Sequence, residues 1–469
     1  MLQTIRNAWK IADLRKKLLF TFAILLLYRL GNVIPVPFVN TDTMSRWFEG
    51  STLQNSVLGL FNMMSGSAFS RATLFALSIQ PYINASIIIQ LLTIAIPALE
   101  RLSKEGGEEG RKKIERITRY TTVGLGVLMG WAYWMMTKNS NIQSIQAGSG
   151  EILVDTGIIP AITVILSFTA GSALVMWLGE QITEFGIGNG ISILLFAGIV
   201  SRGPRMISDM ISGVQLWQGV KAGTVTADTL TAAGYTAEQA AARLNQALAP
   251  WMIPVIIIGM LALVVFIVYI SNAERRLPVQ YAKRVVGRKM YGGQSTHIPM
   301  KVNMSGVMPI IFAQSIASLP ATIGAFMGWT VKSEGFGGGM MRLFDTSKAF
   351  YSILYFFLIV GFSYFYASMS FNPIEVSNNL KKNGGFIPGF RPGKPTADFI
   401  TKVLNKITMF GALYLSVVAI LPIITGNLFG YRSLAIGGTS IIIVVGVALE
   451  TVKQMEAQML MRHYKGFLE

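Results

Sequence analysis

Ten long apolar stretches with almost no charge constrain this chain more than any other feature of its sequence. Each is close to the roughly 20 residues that cross a hydrocarbon core of about 30 Å. A surface helix of a soluble domain would carry a polar face instead, because one side must meet water. The sequence therefore predicts an all-α polytopic membrane protein with ten transmembrane helices. The predicted spans are 18–33, 75–99, 120–137, 158–178, 185–201, 251–270, 304–329, 350–370, 407–424 and 435–449.

The distribution of charge predicts the orientation of these spans. Only 13% of the residues are charged, about half the usual fraction of a soluble domain. Of the 40 Lys and Arg residues, 28 lie in 1–17, 100–119, 271–303, 371–402, at position 406 and in the C-terminal tail 452–469. Segments rich in Lys and Arg stay on the cytoplasmic side of a membrane. Both termini and the even-numbered connections are therefore expected in the cytoplasm, and the net charge of +17 is interpreted as setting topology.

Ten spans divide into two sets of five at a long polar segment. Because five is odd, the second set enters the membrane from the opposite side, which is the arrangement of an inverted repeat with a cavity at the interface of its halves. The part 226–249 of the polar segment is compatible with an Ala-rich amphipathic helix. The predicted parts are a cytoplasmic amphipathic N-terminus (1–17), a first half (18–201), an external loop (202–250), a second half (251–451) and a cytoplasmic tail (452–469).

The spans contain one formally charged residue, Arg29. Ionisable groups inside a membrane usually mark ion or proton pathways, so proton- or sodium-coupled transport is disfavoured. Arg29 either extends its head group to the interface or has a structural pairing role. The two histidines, His297 and His463, lie far apart in basic segments, and neither HExxH nor GxSxG occurs. The sequence therefore predicts no catalytic residues, no bound metal and no cofactor.

Two apolar segments differ from ordinary spans. The first, 55–70, is too short to cross and rich in Gly and Ser, so it is either a re-entrant element shielded by protein or a helix on the outer surface. The second, 78–92, repeats isoleucine every four residues at Ile79, Ile83 and Ile87, which places the three on one helical face. Pro81 is expected to bend this helix.

Seven segments carry a family resemblance that runs over nearly the whole chain. Together and in this order they resemble the SecY family, the central subunits of bacterial protein-translocation channels. They are YRLGNVIPVP (28–37), FNMMSGSAFSRATLFAL (61–77), PYINASIIIQLL (81–92), WLGEQITEFGIGNGISI (177–193), YAKRVVGRKMYGGQSTHIPMKVN (281–303), FNPIEVSNNLKKNGGFIPGFRPG (371–393) and GGTSIIIVVGVALE (437–450).

The resemblance implies an hourglass channel whose two inverted five-helix halves clamp a central constriction. The segment 55–70 then corresponds to a plug helix that blocks the outer funnel, with Leu58, Leu60, Phe61, Met63, Met64, Ser65 and Gly66. Bulky aliphatic side chains exclude water and ions, yet yield to a passing chain. Met308 departs from the branched residue usual at its position and predicts a softer seal. The implied constriction consists of Ile79, Ile83, Ile87, Ile187, Ile191, Met308 and Ile443.

The resemblance also implies a side exit and external partners. The lateral gate lies between the second and seventh spans, where Asn84, Gln90 and Gln314 are the polar candidates. The partners implied are SecE and SecG, the SecA ATPase, the ribosome, signal sequences, nascent polypeptides and lipids of the bacterial plasma membrane. Because the chain has no nucleotide-binding motif, the energy must come from such a partner or from the proton-motive force. The implied docking residues are Arg284, Arg288, Lys289, Lys381, Lys382 and Arg391.

Two other functions stay open at this point. A secondary transporter with inverted repeats has the same span count, although the lack of acids in the middle of the spans argues against it. A scaffold or insertase without a pore is the second alternative, and it would show no ion leak when 58–70 is deleted. The resemblance favours a gated polypeptide-conducting channel.

Overall fold

The structure is a computed structural model of the whole chain, and several short segments lie outside its described part. The described residues are 2–50, 57–104, 106–146, 150–232, 240, 244, 247–281, 284–286, 289–291, 295–304, 306–327, 329, 335–345, 348–428 and 432–465.

Helices dominate both halves of the chain. The first eleven are α1 (Leu2–Lys10), α2 (Ala12–Gly31), α3 (Thr41–Gly50), α4 (Val57–Met64), α5 (Gln80–Ala95), α6 (Pro97–Lys104), α7 (Gly107–Gln146), α8 (Ile158–Phe185), α9 (Gly190–Val200), α10 (Gly203–Lys221) and α11 (Ala227–Ala232). The described part of the chain contains seven more, α12 (Met252–Asn272), α13 (Met308–Phe326), α14 (Phe336–Leu343), α15 (Ala349–Ser370), α16 (Pro373–Lys382), α17 (Lys394–Leu428) and α18 (Arg432–Lys465).

Each of the ten predicted spans coincides with a helix, namely α2, α5, α7, α8, α9, α12, α13, α15, α17 and α18. Within the described ranges, five helical segments are long and apolar enough to cross a membrane. A sixth is reached if α5 and α6, which meet at an angle of 104°, form one broken span. The helical membrane fold is therefore present, and the number of crossings stays a prediction.

The second and fourth predicted spans differ from expectation in detail. Helix α5 begins at Gln80, so Pro81 lies in its first turn. Backbone N–H groups in the first turn have no acceptor within the helix, so a proline there removes no helical hydrogen bond and does not bend the helix. The expected bend at Pro81 is therefore wrong. Helix α8 continues to Phe185, seven residues beyond the end of the predicted span 158–178. Its Glu180 accepts a hydrogen bond from Arg119 Nε of α7 at 2.8 Å.

The helices form two groups that meet along two seams. In the first group α5 packs on α7, α7 on α8, and α8 on both α2 and α9; in the second, α13 packs on α15, α15 on α17, and α18 on both α17 and α12. The groups touch where α5 and α7 meet α13 and, on another side, where α9 meets α18. The short helix α4 contacts α9, α13 and α18, so it lies between the two groups.

The two basic loops fold together into one unit, which the sequence analysis did not predict. The described residues of this unit form five strands, β1 (Glu274–Tyr281), β2 (Arg284–Val286), β3 (Lys289–Tyr291), β4 (Ser295–Lys301) and β5 (Gly385–Phe386). Strand β1 pairs antiparallel with β4 and β5, and β2 pairs with β3. Leu277, Val279 and Met300 of the sheet pack against Leu380 and Ile387 of the second loop. A shared apolar core therefore joins the loops.

The N-terminal helix packs on the C-terminal helix rather than standing alone. Ala8 and Leu14 share a small buried cluster with Met455 of α18, and Thr4 Oγ1 donates to Glu456 Oε1 at 3.1 Å. Burial lowers the pKa of Lys453, whose Nζ donates to the Ser271 carbonyl oxygen at 3.4 Å. These contacts tie the end of α18 to both the N-terminus and α12.

The external segment 202–250 is only partly described. Helix α10 follows α9 after two residues, so the helical chain extends past the predicted boundary at 201. Of the proposed Ala-rich helix, the described part includes α11, while 233–239, 241–243 and 245–246 lie outside the described residues.

Candidate functional site

Helix α4 is buried between the two helix groups. From Phe61 to Ser70 every residue except the half-buried Met63 is buried. Leu58 and Phe61 belong to an apolar cluster with Met44 and Phe48 of α3, whereas Met64 belongs to the central cluster of the molecule. A helix on the outer surface would expose one face, so the burial favours the shielded re-entrant interpretation of 55–70. Residues 55 and 56 and the side chain of Leu60 lie outside the described part.

The C-terminal end of α4 lies directly against the backbone of α9. A Cβ added to Gly198 would lie 2.1 Å from the Met64 carbonyl oxygen, which is too close for any side chain. Gly66 has a φ of +67°, and a Cβ there would lie 2.6 Å from Ser201 Oγ. The same Ser201 hydroxyl accepts a hydrogen bond from Arg29 Nη1 at 3.3 Å. This contact favours the structural pairing role of Arg29.

Two methionine sulfurs connect α4 to the surrounding helices. Met64 Sδ accepts from Gln80 Nε2 at 3.5 Å and from Gln314 Nε2 at 3.9 Å. Met63 Sδ accepts from Ser440 Oγ at 2.8 Å. Each polar contact between membrane helices is worth about 0.6 kcal/mol, whereas each buried apolar side chain of α4 is worth about 1.5–3 kcal/mol. Apolar burial therefore holds the helix in place, and the sulfur contacts set its position.

Most of the proposed constriction residues lie in one central apolar cluster. Ile79, Ile83, Ile87 and Ile443 are buried members of it, and the half-buried Ile191 and Met308 pack against it. Ile187 does not join them. It packs in the cluster of Ala8 and Met455, and its backbone N–H donates to Thr21 Oγ1 of α2 at 3.3 Å. The structure therefore does not bring Ile187 together with the other proposed constriction residues.

The three candidate gate residues occupy different positions along the seam. Gln314 is buried on α13 and contacts Met64, and Asn84 is half-buried on α5. Gln90 accepts from Tyr366 OH at 2.7 Å, so it bonds to α15 rather than to α13. Phe312 of α13 lies beside Tyr366 with ring centroids 5.3 Å apart. One end of the seam is thus joined through α4 and the other through Tyr366.

Comparison with known proteins identifies the family of this chain. A family model described as SecY matches residues 73–452. The protein translocase subunit SecY of Streptomyces coelicolor is 44% identical over 471 residues, covering 100% of both chains. The chain belongs to the SecY family.

Solved structures of the family have the same fold. One SecY structure, described in terms of a plug domain that stabilises the closed state of the translocation channel, superposes with a TM-score of 0.59 at 18% identity. Sec61 from a canine ribosome–channel complex gives a TM-score of 0.54 at 18% identity. Each match covers 94% of this chain and 91% of the other. This SecY-family chain therefore has the fold of protein-conducting channels.

The candidate docking residues of this SecY-family chain lie in the unit formed by the two basic loops. Lys381 and Lys382 are exposed in the last turn of α16. Arg284 lies in β2 and Lys289 in β3, while Arg288 lies outside the described residues. Two separate parts of the sequence thus carry the candidates, and the pairing of β1 with β4 and β5 joins these two parts.

Arg391 is exposed at the tip of a well-anchored loop. Its carbonyl oxygen accepts from Thr396 Oγ1 at 2.7 Å, and the Gly393 carbonyl oxygen accepts from Ser377 Oγ at 2.7 Å. The neighbouring Phe390 stacks on Phe399 at 4.1 Å between centroids. The backbone is therefore fixed while the guanidinium faces outward, an arrangement that reduces the entropy lost when a partner binds.

Several residues at the site were missed from the sequence of this SecY-family member. Gln80 and Ser440 donate to the methionine sulfurs, Tyr366 bonds to Gln90, and Gly198 makes room for α4. Proline is common in the first turn of a helix. Pro81 was therefore a signal in the sequence that a helix begins at the neighbouring Gln80. The other three are single residues within apolar helices, and their partners lie far away in sequence.

Phenylalanine in place of Tyr366 is expected to ease opening of the seam. The change removes the hydrogen bond to Gln90, worth about 0.6 kcal/mol, so a signal peptide at subsaturating concentration should crosslink about threefold more to a photoprobe at Asn84. Tyr364→Phe is the matched control, because that hydroxyl donates to Asn405 O on α17 at 3.4 Å. Equal yields from the two variants would contradict a gating role for Tyr366.

Proposed function

We propose that this chain is the gated channel through which unfolded secretory polypeptides cross the plasma membrane and from which transmembrane segments leave sideways into lipid. The observation that carries the proposal is α4, an apolar helix buried between two helix groups against a cluster of aliphatic side chains. In this function α4 is the plug. Its departure would open a path along the interface of the two groups.

The aliphatic cluster supplies the proposed seal. The ring consists of Ile79, Ile83, Ile87, Ile191, Met308 and Ile443. These side chains pack against one another and offer no hydrogen-bond partners, so they exclude water and ions from the constriction. Their flexible rotamers adapt to a passing chain of any sequence. Membership in the central cluster supports this role for each of them.

The seam between α5 and α13 is the proposed lateral gate, with Asn84, Gln90 and Gln314 as its polar residues. An apolar signal sequence inserted there would exchange contacts between helices for its own. Among the described residues, the polar contacts that oppose it are those of Gln80 and Gln314 with Met64 and of Tyr366 with Gln90, each worth about 0.6 kcal/mol. The gate can therefore be stable at rest and still open when substrate binds.

The proposed partners dock on the basic cytoplasmic unit through Arg284, Arg288, Lys289, Lys381, Lys382 and Arg391. They are the SecA motor and the ribosome, whose RNA is a polyanion, so that contact should weaken with salt. The family relationship supports SecE and SecG as small membrane subunits, and the likeness to Sec61 from a ribosome–channel complex supports ribosome docking. The proposed location is the bacterial plasma membrane with both termini in the cytoplasm.

Reconstitution tests the proposal directly. The chain with SecE and SecG in lipid vesicles, supplied with SecA, ATP and a secretory precursor, should protect the precursor from added protease. Vesicles without SecA or without SecE provide the controls. Flux of a small solute driven by an ion gradient without any motor would favour a secondary transporter instead. No protection with all components present would reject the channel.

Serine at both Ile83 and Ile443 is expected to make the resting channel leaky to ions. Two hydroxyls in the ring favour water in the constriction, so conductance should rise about threefold even with the plug seated. Ile88→Ser is the matched control, because Ile88 lies on the same helix α5 and is exposed. Single-channel recording in planar bilayers measures the effect. An equal rise in the control would remove these isoleucines from the seal.

A further inference from the structure

The sulfur of Met64 is shared by the two sides of the seam. Met64 is the last residue of α4 and is 3% exposed. One donor to it, Gln80, is the first residue of α5, and the other, Gln314, belongs to α13. Both sides of the proposed gate therefore meet at one atom of the plug.

The two amides depend on this sulfur. Gln80 is 4% and Gln314 is 6% exposed, and within the described part of the chain neither Oε1 has a hydrogen-bond partner. A buried amide that loses its remaining partner is destabilised, although sulfur is a weak acceptor. The N···S distances of 3.5 and 3.9 Å are long, so moving α5 away from α13 by about 1 Å would break at least one contact.

The backbone around Met64 prevents the plug from following one side of the gate. The Met64 carbonyl oxygen rests on Gly198 of α9, which packs against α8 and α18. If α5 and α13 separate, Met64 stays with α9 and loses a donor. Gate opening and plug release are therefore linked at this position.

We propose that Met64 couples the plug to the lateral gate as a positioning residue, with its thioether as the common acceptor for Gln80 and Gln314. The inference rests on the proposed channel function and adds the residue through which substrate binding at the gate loosens the plug. By linkage, displacement of the plug also eases gate opening. Met63 provides the contrast, because its sulfur accepts a hydrogen bond from Ser440 of α18, a helix outside the pair α5 and α13.

A single-cysteine reporter measures this coupling, since the chain has no cysteine of its own. Ser65→Cys is nearly isosteric, and Ser65 is fully buried next to Met64. The assembled complex in lipid vesicles is treated with a membrane-impermeant maleimide, with and without a synthetic signal peptide. The labelling rate reports how often the plug is displaced, and the ratio of the two rates reports the coupling to the gate.

Met64→Leu keeps the apolar volume and removes the acceptor. It should raise the resting labelling rate about threefold to tenfold, as expected for two contacts of about 0.6 kcal/mol each, and lower the signal-peptide ratio by a similar factor. Met63→Leu, the matched control, should leave that ratio unchanged. Adding Gln314→Leu to Met64→Leu should not change the labelling rate further, because both changes remove the same contact. Adding Gln314→Leu to Met63→Leu should change the labelling rate by the product of the two single effects.

An unchanged signal-peptide ratio in Met64→Leu, or independent effects of Met64→Leu and Gln314→Leu, would overturn the coupling. Gln80→Leu and Gln314→Leu address the same contacts from the gate side if Met64→Leu is poorly recovered. Precursor protection is measured on the same vesicles. Transport with an unchanged ratio would reject only the coupling, whereas absence of transport in the reporter parent would reject the channel function.

Discussion

Alanine at position 198 is expected to raise the resting ion conductance by about fivefold or more. The new Cβ would lie 2.1 Å from the Met64 carbonyl oxygen, and a backbone atom cannot rotate away as a side chain does. Over-packing of this kind costs about 1–3 kcal/mol, and about 1.4 kcal/mol changes a population tenfold. Because α4 contacts α9 at this point, the strain is relieved when the plug leaves its seat.

Gly361→Ala is the matched control for this prediction. Gly361 lies in the membrane helix α15, and an added Cβ there meets nothing within 4 Å. Conductance of the purified complex in planar bilayers should rise for Gly198→Ala and stay unchanged for Gly361→Ala. Gly198→Val should raise the conductance further. If the Gly198→Ala complex is recovered normally and its resting conductance is unchanged, the plug does not rest on α9.

Glutamate at position 391 is expected to reduce SecA-driven and ribosome-coupled translocation by at least about tenfold. The loop is fixed by Thr396 and Ser377, so Arg391 presents its charge in one place. Reversing a charge at a contact turns attraction into repulsion, with a cost of several kcal/mol in a desolvated interface. The variant should retain its fold, since the side chain is exposed.

Lys402→Glu carries the same change of charge on the exposed face of α17 and controls for the net charge of the cytoplasmic side. Precursor protection with SecA, and binding of ribosomes at several salt concentrations, measure the two partners separately. A phosphate contact predicts a flatter salt dependence for Arg391→Glu. Full translocation by Arg391→Glu, or an equal loss in Lys402→Glu, would show that this loop is not the docking point.

The sequence predicted the helices better than their ends. An apolar stretch identifies a membrane helix because lipid cannot hydrogen-bond a bare backbone. It cannot show where the helix starts when the apolar residues continue, as they do before Gln80. Residues 75–79 are apolar enough for a span, yet they form turns in the structure. The same ambiguity led to the wrong expectation of a bend at Pro81.

Isoleucines illustrate the second limit. Ile83 and Ile187 are chemically the same and both come from segments resembling the family. Ile83 packs in the central cluster, whereas Ile187 packs beside the N-terminal helix. One backbone hydrogen bond to Thr21, a residue far away in sequence, accompanies the difference. Composition cannot show which of two apolar clusters an isoleucine joins.

The sequence by itself determined that this chain is a helical membrane protein of two halves with its charge outside the spans, because hydrophobicity and charge act through the local chain alone. Family motifs further indicated a channel with a plug. Only the tertiary structure decided that Met64 meets Gln80 and Gln314, that α4 rests on Gly198, and that two basic loops share one core. Each of these is a contact between residues distant in sequence, so it depends on how the helices pack.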